Sequence, residues 1–307
     1  MIIAAGLTPA WQQIMRFDGF QPGEVNRALD VQWCASGKVL NVGIALAHLG
    51  APSETIALVG GPTGQQIDRE FTSLGIRHQW VPAHWSTRVC TTILDVASGR
   101  ATELVENAGP ATAAELEHFH QAFVKRAADA RMVILSGSLP RGAPSTYFRD
   151  LLADTHAQAI LDFRGPALLA AVERPVFLVK PNRQELAATL GQDLTDDARL
   201  HAAMRYMNDL GSQWVVVTDG PRAAWASCGQ GLYRFDPPQL VPVNPIGAGD
   251  CLAAAFAWGI LNGDDPLTAL RLGIAAAAQN VEQLLPARLD PELVRARGHT
   301  IAHQRFS

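Results

Sequence analysis

Short apolar runs alternating with helical stretches restrict the fold of this chain more than any other feature it carries. From Ala113 a helical pattern reaches about Ala130 and gives way to the strand Met132-Val133-Ile134-Leu135. A helix near Tyr147 to His156, strands at Ala159–Asp162 and Val176–Val179, a helix over about Asp196–Leu210 and a strand at Trp214–Thr218 continue the rhythm. The N-terminal part opens in the same way. It has the run Ile2–Ala5, a helix on which Val39, Val42, Leu46 and Leu49 share one face before Gly50, the strand Thr55–Val59 and a helix over about Gly64–Leu74. Strands without an alternating polar face must be covered on both sides, and strands joined through helices cross over right-handedly. The expected fold class is α/β, a mostly parallel central sheet between two helical layers. A hairpin near Ala223–Phe235 and two Ala-rich helices, Ala248–Leu261 and Leu267–Gln283, complete that core.

Two stretches depart from the rhythm. Gln13–Phe17 and Ala28–Trp33 alternate around Pro22-Gly23, and Val89–Asp95 and Thr102–Val105 alternate around Ser98-Gly99. Alternation implies one wet face, so these pieces are expected to leave the main layer and pair with each other into one small antiparallel sheet. With 307 residues, no tandem repeat and no linker-like segment, the chain is expected to form a single domain over 1–307. Segments of about 11–34 and 86–107 would build the small sheet.

Composition narrows the partners. A net charge of −4 disfavours nucleic acid. Four cysteines, Cys34, Cys90, Cys228 and Cys251, lie without paired spacing, as expected in a reducing compartment and without a structural zinc site. The start Met-Ile-Ile-Ala-Ala-Gly has no basic region before its apolar run, and no apolar run is long enough to span a membrane. A cytoplasmic protein is the expectation.

The chemistry gathers in a few places. In Asn244–Ile260, Gly247-Ala248-Gly249-Asp250 precedes an apolar run, which suggests a tight turn feeding a buried helix. Free N–H groups at such a start favour an anion, and Asp250 beside them could take a proton from a hydroxyl attacking a bound phosphoryl group. The alternative is that Asp250 simply caps the helix. Polar residues also crowd the C-terminal ends of the expected strands, where open parallel sheets bind ligands: Thr8, Ser136-Gly137-Ser138, Asp162, Arg164, Lys180 to Glu185, Thr218 and Gly220. Asn182 and Glu185 could face one magnesium ion through water, or could form a capping box at a helix start. No Walker-type loop, Gly-x-Gly-x-x-Gly fingerprint, His-Glu-x-x-His or Cys-x-x-Cys occurs.

Seven segments in register resemble a ribokinase-like sugar kinase of the phosphofructokinase B family, and within it the 1-phosphofructokinase and tagatose-6-phosphate kinase branch. They are Gly6-Leu7-Thr8-Pro9-Ala10, Ala35-Ser36-Gly37-Lys38-Val39-Leu40-Asn41-Val42, Thr87-Arg88, Ser136-Gly137-Ser138-Leu139-Pro140, Lys180-Pro181-Asn182-Arg183-Gln184-Glu185-Leu186, Thr218-Asp219-Gly220 and Gly247-Ala248-Gly249-Asp250. The resemblance implies an ATP- and magnesium-dependent kinase, a three-layer α/β/α body with a small β-sheet lid, and a sugar phosphate as acceptor. By the same resemblance Gly247, Ala248 and Gly249 form the anion hole and Asp250 is the base. Lys180, Asn182, Glu185, Thr218, Gly220 and Gly249 surround the nucleotide, with Asn182 and Glu185 near magnesium. Thr8, Gln12, Ser36, Gly37, Lys38, Asn41, Arg88, Cys90 and Ser138 line the sugar site, where Lys38, Arg88 and Ser138 suit the substrate's existing phosphate.

The chain departs from the branch at Thr8 and Cys90, where the branch has Asn, at Gln12, where it has Asp, and at Ser36, where it has Gly. These changes imply an altered sugar preference on a preserved transfer centre. Kinases of unphosphorylated sugars or nucleosides, and a catalytically silent sugar-phosphate sensor, are the competing readings. An exposed face on the lid, with Trp33 and Trp85 nearby, suggests a homodimer by lid-to-lid contact.

Overall fold

Ten strands pair edge to edge into one sheet in the computed structural model, which describes residues 1–306. In chain order the elements are β1 (Ile2–Gly6), β2 (Ala10–Phe17), β3 (Asp30–Ser36), α1 (Lys38–His48), β4 (Ser53–Val59), α2 (Gly61–Ser73), β5 (His78–Pro82), β6 (Val89–Asp95) and β7 (Arg100–Val105). There follow α3 (Ala113–Ala127), β8 (Met132–Ser136), α4 (Tyr147–Ala153), β9 (Gln158–Asp162), α5 (Pro166–Ala171), β10 (Val176–Val179), α6 (Arg183–Leu190), α7 (Asp197–Asp209) and β11 (Ser212–Val217). The chain ends with β12 (Ala224–Cys228), β13 (Gly231–Phe235), α8 (Ala248–Leu261), α9 (Pro266–Val281), α10 (Pro291–Thr300) and β14 (His303–Phe306).

The large sheet runs β14-β13-β12-β11-β10-β9-β8-β1-β4-β5, parallel from β5 to β11 and antiparallel beyond. Side chains alternate across it, and both faces are dry. Ile2 and Ala4 join a core with α1, α8 and α9, while Ile3 and Ala5 join a second core with α3, α4 and α7. This is why the central strands read as unbroken apolar runs.

Four elements went unforeseen: β5, α5, α10 and β14. The edge strands β5 and β14 are short and carry polar residues. Helix α5 is six residues long, and α10 buries only Val294 and Gly298. None has the periodic apolar pattern that marks an element in sequence.

The two excursions form the expected small sheet, in the order β3-β2-β6-β7. Each is an antiparallel hairpin, and they meet through the parallel pair β2–β6. Register places Gln12, Cys34 and Cys90 on one face, with Ile14 and Leu94 following on the same side. Ile14, Cys34 and Leu94 pack on Leu284 and Leu285 of the body. The opposite face shows Trp11 stacked on Trp33 at 6.2 Å, with Val31 and Leu104 exposed. Trp85 is not part of that face. It packs on the body's second core and closes over Gly109.

Helix α1, which carries Lys38 and Asn41, sits hard against β4: a Cβ on Gly43 would lie 2.0 Å from Thr55 Oγ1. Overpacking predicts that Gly43→Ala costs about 1–3 kcal/mol in urea unfolding, despite alanine's better helix propensity. Adding Thr55→Ala should recover most of the loss. A Gly43→Ala protein as stable as the parent would refute this seat for α1.

Candidate active site

The glycine-rich turn builds a helix start that no side chain caps. Gly247 is the N-cap of α8 in a left-handed conformation (φ 85°) and makes no side-chain cap bond. A Cβ there would meet Pro286 at 3.0 Å and Asn41 Nδ2 at 3.3 Å, so only glycine fits. At Gly249 a Cβ would stand 3.0 Å from Lys180 Nζ, which places an ammonium directly against the first turn of α8. Anions are favoured by such a turn through its amides and by the ammonium through its charge.

Asp250 lies in that turn and is 5% exposed. It does not cap the helix. Its Oδ2 accepts a 2.7 Å bond from Asn41 Nδ2, and Asn41 Oδ1 accepts from Ser36 Oγ at 3.0 Å. Burial first, and then the charge of Asp162, push the Asp250 carboxyl up to about 7, against the opposing influence of Lys38, the Asn41 bond and Lys180. A carboxyl so poised can accept a proton near neutrality.

Beside it, Asp162 is fully buried at the end of β9 and is shared by two lysines. Lys38 Nζ lies 2.9 Å from Oδ1 and Lys180 Nζ 3.3 Å from Oδ2. Burial opposes its ionisation, but the two ammonium groups outweigh that and hold its pKa below the usual carboxylate value. Lys38 also reaches Glu185 Oε1 at 2.9 Å. Burial would lower the Lys38 pKa, yet Asp162, Glu185 and Asp250 together raise it above an ordinary ammonium. Asp162 is the residue that sequence reasoning noted but assigned no role. Its only signal was a charge closing the apolar run Ala159-Ile160-Leu161.

The capping box at α6 is present: Asn182 Oδ1 accepts from the Glu185 amide at 2.7 Å, and Glu185 Oε2 accepts from the Asn182 amide at 2.9 Å. This leaves Glu185 Oε1 facing the lysine cluster, so the cap and a place in the site coexist. Thr218 bridges to Asn182, its carbonyl accepts from the Arg183 amide at 2.9 Å, and Gly220 follows with φ 58°.

On the other side, Thr8 Oγ1 lies 3.1 Å from Ser138 O and 3.2 Å from Ser138 Oγ. A Cβ on Gly137 would fall 3.1 Å from Thr8 Oγ1 and 4.0 Å from Lys38 Cβ, so Thr8, Ser138 and Lys38 share one rim. Gly37 (φ 85°) packs against the Ala10 amide. Gln12 is buried and donates to Thr92 Oγ1 at 2.7 Å, with Cys90 beside it in register. Arg88, expected as a phosphate holder, bonds main-chain carbonyls instead: Thr8 at 2.9 Å, Pro9 at 3.3 Å and Glu106 at 3.1 Å. It ties the roots of the small sheet together.

No group of three or more His, Cys, Asp or Glu side chains that could hold a metal exists among the described residues, and no helix there is long and apolar enough to cross a membrane.

The family model for pfkB family carbohydrate kinases matches residues 8–292. Tagatose-6-phosphate kinase of Staphylococcus epidermidis is 31% identical over 271 residues, covering 85% of this chain and 86% of that protein. A structure described as a possible 1-phosphofructokinase from Thermotoga maritima aligns over 100% of both chains with a TM-score of 0.92 at 22% identity. The tetrameric inhibited form of phosphofructokinase-2 from Escherichia coli aligns over 97% of this chain and 99% of that one, with a TM-score of 0.87 at 25% identity. Thermotoga maritima ribokinase aligns over 96% and 98% with a TM-score of 0.76 at 19% identity.

Were Asp250 the proton acceptor, it would act only when ionised, and kcat/KM should rise with pH and reach half its plateau near 7. Asn41→Ala removes a bond that favours the charged form, so the acid limb should move to higher pH. A parental limb centred below about pH 5 would disconnect Asp250 from the profile, since that is where ordinary carboxyls titrate.

Proposed function

This chain belongs to the pfkB family of carbohydrate kinases, and we propose that it transfers the γ-phosphoryl group of ATP to a hydroxyl of a sugar phosphate, with a ketohexose monophosphate as acceptor. The observation that carries the reading is Asp250: a buried carboxyl poised near neutrality in the open first turn of α8, with Lys180 against Gly249.

In this reading the acceptor hydroxyl attacks the γ-phosphorus in line, its proton passes to Asp250, and the bond from phosphorus to the bridging oxygen of ADP breaks. The amides around Gly247, Ala248 and Gly249, with Lys180, stabilise charge on the transferred group. Asn41 holds the carboxylate towards the hydroxyl. Thr218, Gly220, Asn182 and Glu185 line the nucleotide side.

Magnesium would enter this site hydrated and carried by the triphosphate, its water shell reaching Glu185 Oε1 and Asn182 Oδ1, the oxygens that Lys38 and the Glu185 amide hold in the structure. Bound there, it would neutralise phosphate charge.

The acceptor's own phosphate suits the rim of Thr8, Ser138 and Lys38. Arg88 would join it by exchanging carbonyl partners as the small sheet closes over the sugar and excludes water. Gln12 and Cys90, with Ser36 and Gly37 at the base, would read the sugar hydroxyls. The phosphorylated acceptor is supported by the 31% identity to tagatose-6-phosphate kinase and by this cluster of phosphate-compatible donors.

The chain would act as a single domain with the small sheet as its lid. The lid face that exposes Trp33, Val31 and Leu104, with half-buried Trp11 stacked beneath Trp33, suits a homodimer through the lid. Four free cysteines fit a cytoplasmic location.

ADP release should be fastest with one of tagatose 6-phosphate, fructose 6-phosphate and fructose 1-phosphate, and slow with the unphosphorylated sugars or nucleosides. Turnover of free sugars alone would shift the reading to an unphosphorylated acceptor, and silence on every compound would favour a sensor. Asp250→Ala should lower kcat by roughly 10²–10⁴-fold while nucleotide affinity stays near the parent value. Sedimentation should show Trp33→Glu as a monomer where the parent is larger. An unchanged mass would remove the lid interface.

A further inference from the structure

Two asparagines that neither the fold nor the proposed chemistry uses hold the anion-hole loop from behind. Asn244 and Asn280 are 1% and 0% exposed. Asn244, on the loop, donates to the carbonyl of Leu284 at 2.8 Å and accepts from the Ile246 amide at 3.0 Å. Asn280, on α9, answers in the opposite direction: it donates to the carbonyl of Ile246 at 2.8 Å, and its Oδ1 accepts from the Ala287 amide at 2.7 Å. The Cys251 thiol, next to Asp250, also reaches Asn280 Oδ1 at 3.3 Å. The loop before α8 and the segment after α9 are thus stitched by reciprocal side-chain amides.

The stitched segment is itself unusual. Ala287, with φ 64°, is the one non-glycine residue in a positive-φ conformation among the described residues. Its predecessor Pro286 stands 3.0 Å from where a Cβ of Gly247 would be. Its successor Arg288 pairs with Glu70, whose other oxygen accepts from the Ala35 amide at 2.6 Å. Ser36 follows, and through Asn41 the polar chain returns to Asp250. Backbone conformations of this kind persist where the surroundings over-determine them, and they concentrate at functional sites.

We infer that Asn244 and Asn280 are positioning residues that fix the anion-hole amides of Gly247–Gly249 relative to the Asp250 carboxylate. An apolar pair would satisfy the surrounding core, but it would leave the Ile246 carbonyl and the Ala287 amide without partners and free the loop to drift. Donors in such a hole act through placement set before the reaction, so small displacements reduce turnover more than they reduce binding. This inference rests on the kinase reading above, and its test includes a measurement that needs no acceptor.

Asn280→Asp keeps the acceptor for Ala287 but replaces the donor to Ile246 with a second oxygen. Hydrogen exchange across 244–250 should accelerate about tenfold or more in this variant, as expected for a loosened local unit. With the acceptor that the parent turns over fastest, kcat should fall roughly 10–100-fold while both KM values stay within about threefold, the pattern of a lost transition-state interaction. Unchanged exchange overturns the inference whatever the activity. So does unchanged kcat, or a rise in both KM values matching the loss in kcat, which would mark general slackening. If Asn280→Asp does not fold, Asn244→Ala removes the tether from the loop side and is judged by the same outcomes. A parent enzyme idle on every sugar phosphate would count against the kinase reading and leave the exchange result to decide the loop.

Discussion

The rest of the site depends on a carboxylate that could not be buried alone. Asp162 is fully enclosed at the end of β9, and an unpaired charge there would be prohibitively costly. Lys38 from the start of α1 and Lys180 from the end of β10 share it, so one ion cluster fixes two elements distant in sequence against the same strand end. The cluster also sets the electrostatics next door. The negative charge of Asp162 helps keep the Asp250 carboxyl near neutrality, while the two ammonium groups leave the neighbourhood receptive to a polyanion.

The small sheet is attached to this body by polar tethers at its roots and by a modest apolar contact. Arg88 bonds the carbonyls of Thr8, Pro9 and Glu106, Thr87 bonds Gly60, and Ile14, Cys34 and Leu94 rest on Leu284 and Leu285. Such an arrangement can hinge, because bonds from a guanidinium to carbonyls exchange readily for bonds to a phosphate, whereas the packed faces of the large sheet cannot slide. It also separates the two halves of the chemistry. In the proposed reaction the phosphoryl side would belong to the body, and the sugar side would be shared with the small sheet.

How much of this could be read in advance varied with the physics. The parallel sheet was legible because burial on both faces leaves apolar runs at Ile2–Ala5, Ile56–Val59 and Met132–Leu135, while β5 and β14 lie at the sheet's edges, where sequence is free to be polar. Gly247 was legible because its left-handed turn favours glycine, and Gly249 because glycine there lets Lys180 approach the first turn of α8. Asn41 was placed near the sugar, but its bond to Asp250 was not foreseeable, since those residues are 209 positions apart. Trp85 read like a surface aromatic and is instead packed on the body.

The sequence by itself determined the layers, the two hairpins and the residue types at the strand ends, because these follow from periodicities of two and 3.6 residues and from the special backbone of glycine. It also carried the family, through seven short segments in order. The tertiary structure decided what each polar residue does. Only folding brought Lys38 and Lys180 to one carboxylate, turned Arg88 to its carbonyls and set Asn244 and Asn280 face to face. The reason is that a charge or amide has no partner in its own segment, and the free energy of burying it is settled by whichever distant group the fold delivers.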